Sequence, residues 1–237
     1  MTCSIQQGNI VTDIQSAFAD PQMVAKYTEG PPRFVPGYNA MLSMAAILLA
    51  ERSPEDARIL ALGAGGGLEL RAFAQAQPRW TFDGVDPSAA MLNLATQTLG
   101  PFASRAHLHQ GYINDAPAGP FDGATCLLTL HFVDVEERRR IASEIHRRLK
   151  PGAAFVAAHF SIPDGDDERP RWLSRYSAFL AASGVEPDKA AAARQAVDGQ
   201  LSILSPARDE AILRDAGFTD PTLFYAGFTF RGWVAYA

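Results

Sequence analysis

The sequence predicts an α/β fold, a mostly parallel sheet covered by helices on both faces. Three observations point there. Short apolar runs alternate with helix-period segments from residue 57 onward. Those runs read as continuous rather than alternating, as strands buried on both faces do. A strand also runs directly into a glycine cluster followed by a helix, ILALGAGGGLEL at 59–70.

Taken in order, ARILAL (57–62) reads as a buried strand and LELRAFAQAQ (68–77) as a helix. WTFDGVD (80–86) is the next strand. SAAMLNLATQTL (88–99) is a helix that Ser88 can cap through its hydroxyl. HLHQ (107–110) is a short strand and FDGATCLLTL (121–130) a longer one. VEERRRIASEIHRRL (135–149) places Ile141, Ile145 and Leu149 on one helix face, which predicts a solvated face for Glu136, Glu137 and Arg138–Arg140. The Pro-Gly pair at 151–152 predicts a break before a buried strand at 153–160. A polar loop (163–170) precedes a helical stripe of Trp172, Leu173, Tyr176, Phe179 and Leu180. A second helix starts near Pro187 and runs through Arg194. A helix at about 206–216 and two strands turning at Ala226–Gly227 end the chain. The first 52 residues read as helical, split by EGPPRFVPG (29–37). One domain over 1–237 is expected. It comprises an N-terminal helical cover (1–52), a ligand-binding core (53–162), a helical insertion (163–200) and a last helix with a terminal hairpin (201–237).

Composition narrows the function classes. The chain has 237 residues, 47% hydrophobic and 20% charged, which supports a real core rather than disorder. A net charge of −5 lacks the basic excess of proteins that neutralise nucleic-acid phosphates, so no direct nucleic-acid partner is expected. The longest apolar stretch, 40–50, is shorter than the roughly 20 residues a membrane-spanning helix needs. The N-terminus has no basic segment before an apolar run, so a cytoplasmic location is expected. Two distant cysteines, Cys3 and Cys126, form neither a disulfide framework nor a metal cluster, and no histidine spacing suggests a metal.

The glycine cluster carries the chemistry. Glycine allows positive φ and close approach of a ligand to the backbone, and the following helix offers free N–H groups. The dinucleotide pattern G-x-G-x-x-G fails, because Leu68 and Leu70 stand where its third glycine belongs. No Gly-Lys-Ser/Thr follows, so a P-loop fails as well. Asp86 ends the next strand, where an acid can accept hydrogen bonds from both hydroxyls of a ribose.

With these residues in order, 57–160 resembles the class I S-adenosylmethionine-dependent methyltransferases. ILALGAGGG resembles their first motif and FDGVDPSAAML their ribose-binding strand. FDGATCLLTLHFVD resembles their fourth strand, LKPGAAFVAAHF their fifth, and AGF (216–218) with the tail their last helix and terminal hairpin. The resemblance implies a Rossmann-like, mostly parallel seven-stranded sheet with an antiparallel last strand. It implies S-adenosyl-L-methionine as cofactor and S-adenosyl-L-homocysteine as product. It assigns Gly63, Ala64, Gly65 and Gly67 to the loop under the methionine part and Asp86 to the ribose. Pro87, Met91, Tyr112 and Ile113 fall near the adenine, and Leu128, Thr129 and His131 face the donor. Many relatives carry an acid at the position of Tyr112, with Asn114 or Asp115 as its replacement here. His131 is a weak candidate base, with a packed histidine as the alternative.

A narrower resemblance joins RFVPGYNAMLSMAAILLAER (33–52) and 194–237 to the carboxy-S-adenosylmethionine synthase branch. It implies cofactor contact by Tyr38 and recognition of the extra carboxylate of carboxy-S-adenosyl-L-methionine by Arg194. Arg33, His131, Tyr176 and Arg194 are the substrate-side candidates. That branch has a polar asparagine in the fourth strand where Leu127 stands. Three functions follow: methyl transfer to a small molecule, carboxy-cofactor synthesis with prephenate, and non-catalytic cofactor binding. A homodimer is open.

Overall fold

The computed structural model describes Val24 and residues 27–237. Its centre is a seven-stranded sheet: β1 (Arg58–Leu62), β2 (Thr81–Asp86), β3 (Ala106–Gln110), β4 (Phe121–Leu127), β5 (Leu149–Phe160), β6 (Thr219–Gly227) and β7 (Phe230–Tyr236). The strand order is β3-β2-β1-β4-β5-β7-β6. β1 to β5 pair in parallel, and β7 runs antiparallel between β5 and β6. The antiparallel strand is thus inserted next to last in the sheet, and β6 forms the edge.

The period-2 geometry of strands sorts the core into two layers. Ile59, Ala61, Phe82, Ala154, Val156 and Ala158 face one layer, built with helices α2 (Tyr38–Ala50), α3 (Leu68–Ala76) and α6 (Glu168–Ala182). Leu60, Leu62, Ala124, Cys126, Phe155 and Ala157 face the other, built with α5 (Val135–Arg148) and α8 (Pro206–Asp215). β4 is buried at every position because it lies centrally, whereas β3 is half-exposed at the opposite edge from β6. Helix α4 (Ala89–Leu99) starts as expected: Ser88 accepts the Met91 N–H at 3.2 Å. Helix α7 (Pro187–Gln200) packs on α6 and continues past Arg194.

Several local expectations change. The split at 29–37 is itself partly helical: α1 spans Gly30–Phe34, with Pro31 and Pro32 in its first turn, where a missing N–H costs no hydrogen bond. The helical reading of 1–23, 25 and 26 lies outside the described residues. The strand expected at 121–130 stops at Leu127, because Leu128 takes a left-handed φ of 58° and a short 3-10 turn follows at Leu130–Phe132. The Pro-Gly pair does not break the chain. β5 begins at Leu149, its pairing shifts between Phe121 and Gly123, and the Gly152 N–H donates to the Ala237 carbonyl. The Tyr225 hydroxyl on β6 donates to the Pro36 carbonyl at the α1–α2 bend. No single described helix is long and apolar enough to cross a membrane.

One predicted surface residue is buried. Arg138 is 1% exposed, and it donates to Asp209 Oδ1 on α8 and to the Ser202 carbonyl, both at 2.6 Å. Its neighbours follow the expected pattern, with Arg139 and Arg140 pairing to Glu136 and Glu137 on the outer face. The His159 imidazole lies 3.1 Å from the same Asp209 oxygen. His131 sits beside this cluster, edge-on to Phe160 with ring centroids 5.0 Å apart, and its Nδ1 accepts the Phe160 N–H at 3.4 Å. Burial holds the His131 imidazole well below its usual range, with His159 and Arg138 adding to the effect.

Two predictions follow from this cluster. Removing Asp209 strands a buried guanidinium, and breaking a buried pair costs roughly 3–5 kcal/mol. Asp209→Ala is therefore expected to lower the urea midpoint sharply at an unchanged m-value. For His131, the unfolded chain takes up a proton below about pH 6.5 that the native state refuses, so native stability falls as pH drops. In His131→Asn, which keeps an acceptor near the Nδ1 position, melting temperature should decline less between pH 7 and pH 5 than in the parent.

Candidate functional site

The strand order reverses between β1 and its neighbours β2 and β4, and this opens a crevice at the carboxyl ends of the strands. A cavity of about 670 Å³ occupies it. Its floor is the turn after β1. Gly63 and Gly65 have φ of 76° and 48°, and the Gly63 and Ala64 N–H groups donate to the Val85 carbonyl. A Cβ on Gly63 would lie 2.0 Å from Thr129 Oγ1, so this turn closes against the segment after β4 only with glycine.

Asp86 is the electrostatic centre. Its Oδ2 accepts the Gly65 N–H and its Oδ1 the Ser88 N–H, each at 2.9 Å. Burial raises its pKa, and the two N–H bonds oppose that rise. A carboxylate offers about four acceptor positions, so roughly two remain for a ligand's hydroxyls.

Pro87, Met91, Tyr112, Ile113 and Leu128 also line this cavity. Tyr112 is half-exposed beside Asp115, which accepts the Tyr112 N–H at 2.9 Å. Asn114 accepts from Arg140 at 2.7 Å, so both polar neighbours of Tyr112 are engaged away from the cavity wall. Apolar walls flank the acidic centre, an arrangement suited to a flat ring carried on a hydroxylated sugar.

Tyr38 and Ala64 line a second, smaller cavity of about 20 Å³ beneath the glycine turn. Gly67 lines neither. Its φ is 80°, and a Cβ there would meet the Ala95 backbone at 2.8 Å, so Gly67 lets α3 pack against α4. The substrate-side candidates do not converge. Arg33 is exposed and pairs with Glu29 at 3.6 Å. Tyr176 is buried among Phe160 and Phe230. His131 is buried, and Arg194 lies on α7. None of these four lines either cavity.

Two residues that sequence reasoning passed over belong here. Tyr27 lines both cavities and lies against Gly65 and Gly66. Nothing periodic marked it. Glu69 is buried on the wall of the smaller cavity, and its Oε1 accepts from Thr125 Oγ1 at 2.8 Å. In the sequence it reads as an ordinary acid in a first helical turn. Burial pushes its carboxyl up to about 8. Asp86, Asp134 and Glu137 on the larger wall and Glu69 on the smaller make the site acidic, with no lysine, arginine or histidine on either wall among the described residues. No cluster of His, Cys, Asp and Glu among the described residues could hold a metal.

Comparison with known proteins agrees with this geometry. A family described as a methyltransferase domain matches residues 59–152. The chain is similar to the carboxy-S-adenosyl-L-methionine synthase of Chromohalobacter salexigens, 26% identical over 92% of this chain and 82% of that protein. The enzyme of the same name from Aeromonas hydrophila is 25% identical over 91% and 88%. Among solved structures, an O-methyltransferase family protein from Burkholderia thailandensis superposes with a TM-score of 0.69 at 17% identity, covering 94% of this chain. Human N-acetylserotonin methyltransferase gives 0.63 at 15% identity, covering 98%. The chain spans 62% and 60% of the lengths of these two structures. The protein has the class I S-adenosylmethionine-dependent methyltransferase fold.

Proposed function

We propose that this protein transfers the methyl group of S-adenosyl-L-methionine to a small-molecule acceptor. The observation that carries the reading is Asp86, held by Gly65 and Ser88 at the mouth of a 670 Å³ cavity floored by the glycine turn. The residues fit the cofactor. The Gly63–Gly67 turn carries no side chain larger than the Ala64 methyl, and Asp86 has acceptor capacity left for the ribose hydroxyls. Met91, Pro87, Tyr112, Ile113 and Leu128 supply apolar contact for the adenine. The acidic wall complements a cationic sulfonium.

The sulfonium supplies an activated methyl group, so the protein's task is positioning and exclusion of water. Asp86 and the turn after β1 fix the donor's sugar and amino-acid end. Leu128 and Thr129 lie where the strands end, facing the donor. Tyr27 roofs the turn and shields it from water. In this reading the segments 1–52 and 163–200 cover the core 53–162 and shape the acceptor pocket. The acceptor is a small molecule rather than a nucleic acid, in keeping with the net charge of −5.

A second reading, carboxy-S-adenosyl-L-methionine synthesis, is favoured by relatives of that name matching over most of the chain. It ranks second because Arg194 lines neither cavity and no other cation among the described residues does. Among the described residues, the charged side chains that an extra carboxylate would meet on these walls are acids.

Mass spectrometry of ligand released from the purified protein is expected to show the methyl or demethylated cofactor rather than the carboxylated one. Charge-assisted hydrogen bonds contribute about 1.5–3 kcal/mol, so Asp86→Ala should weaken S-adenosyl-L-homocysteine binding by roughly 10- to 100-fold. Unchanged affinity would remove Asp86 from the site. Arg194→Ala should leave that affinity unaltered, whereas a selective loss of carboxylated-cofactor binding would promote the second reading.

A further inference from the structure

The connector 201–205 joins α7 to α8, and one of its peptides is held from both sides. The Ser202 N–H donates to the His131 carbonyl at 3.0 Å. The Ser202 carbonyl accepts from Arg138 Nη2 at 2.6 Å. Two residues on, the Leu204 carbonyl accepts the Ile162 N–H at 3.0 Å and the Ser161 hydroxyl at 3.2 Å. The connector is thus laid between the turn after β4, the end of β5 and a buried guanidinium on α5. Arg138 is itself fixed: its Nη1 donates to Asp209 Oδ1 at 2.6 Å, and both side chains are almost fully buried. A guanidinium is a planar, rigid fork, so anchoring one prong at Asp209 sets where the other holds the Ser202 carbonyl.

His131 lies in the 3-10 turn Leu130–Phe132, and the residues on either side of it face the larger cavity. Leu128 and Thr129 precede it there, and Phe132, Val133 and Asp134 follow or adjoin it. Arg138, Ser202 and Asp209 line neither cavity. Resting on the methyl-donor reading above, we propose that Arg138 is a positioning residue for the donor site, acting through the Ser202 peptide. It holds the connector against the turn 128–134, so the cavity wall takes its donor-binding shape when the connector is docked. The connector also closes the helical insertion, because α7 packs on α6 and runs directly into 201–205. Docking of that insertion and binding of the donor are therefore coupled, and such coupling acts equally in both directions. A charge pair kept for stability alone needs only the contact between Arg138 and Asp209. The second contact, to the connector backbone, is the one that reaches the cavity wall.

Two variants separate positioning from stability. Arg138→Lys keeps a cation for Asp209 but replaces the two-pronged fork by one donor group on a shorter stem. Ser202→Pro deletes the N–H that reaches His131 and leaves every buried charge in place. Leu201 already has φ −97° and ψ 141°, the extended conformation that a residue before proline needs. The probe is S-adenosyl-L-homocysteine, titrated calorimetrically into the full-length protein well below its melting temperature, with circular dichroism confirming that each variant is folded. Each variant is expected to weaken the ligand by about 5- to 50-fold, the usual size of coupling between sites. Ser202→Pro should do so with a urea midpoint close to the parent's, whereas a merely structural role lowers the midpoint and leaves affinity unchanged. Hydrogen exchange on the parent protein is the second readout. Ligand binding should slow exchange at 201–205 by about tenfold more than at the edge strand β6, although the connector lines neither cavity. If Arg138→Lys does not fold, Ser202→Pro and the exchange on the parent decide. Unchanged affinity in the folded variants overturns the proposal. So does connector exchange that ligand slows no more than that of β6. A parent protein that does not bind the ligand overturns the methyl-donor reading, and the positioning role falls with it.

Discussion

One carboxylate organises the ligand end of the sheet. Asp86 gives one oxygen to the Gly65 N–H and the other to the Ser88 N–H, so the turn after β1 and the start of α4 are tied to the tip of β2. These are segments that must otherwise leave backbone donors pointing into an open crevice. A single acid thus satisfies the turn's exposed amides while leaving lone pairs for a ligand. The rest of the site is arranged around it. Gly63 closes against Thr129, Gly67 lets α3 and α4 approach, and Leu128 turns the chain away after β4 through a left-handed residue.

Charge is distributed unevenly between the two ends of this arrangement. A buried cation and a buried acid compensate one another where helices meet the far layer, as Arg138 and Asp209 do. At the cavity walls the charged side chains among the described residues are acids, and Asp86 and Glu69 are held by N–H and hydroxyl donors rather than by a described cation. That asymmetry is what an incoming sulfonium would meet, and it is also a reason for the demethylated product, which has lost a positive charge, to leave more readily than the donor.

Much of the fold was legible because it rests on local signals. Strand periodicity, the Ser88 cap and the glycine cluster each act within a few residues, and the structure shows all three. What was illegible depended on distant partners. Arg138 looks like its neighbours Arg139 and Arg140 until Asp209 arrives from 71 residues away. Glu69 looks like a surface acid in a first helical turn until Thr125 and two tyrosines enclose it. The Pro-Gly pair at 151–152 signals a turn correctly, but the neighbouring strand and the tail absorb it as an irregularity inside β5. His131 and Tyr176 carried polar chemistry in the sequence, and the packing of Phe160 and Phe230 claims both.

The bond from the Tyr225 hydroxyl to the Pro36 carbonyl spans 189 residues. It fastens the bend that follows Tyr27 to the edge strand β6. During synthesis the roof of the cavity therefore emerges before the parallel strands β1 to β5, and its anchor on β6 emerges after them. Non-local closures of this kind form late, because the connecting chain must be ordered before they reward it. A nascent chain would pass through a stage with an assembled sheet and an uncovered crevice. The cavity is thus completed from outside, by an earlier-made segment that is fastened to a later-made strand.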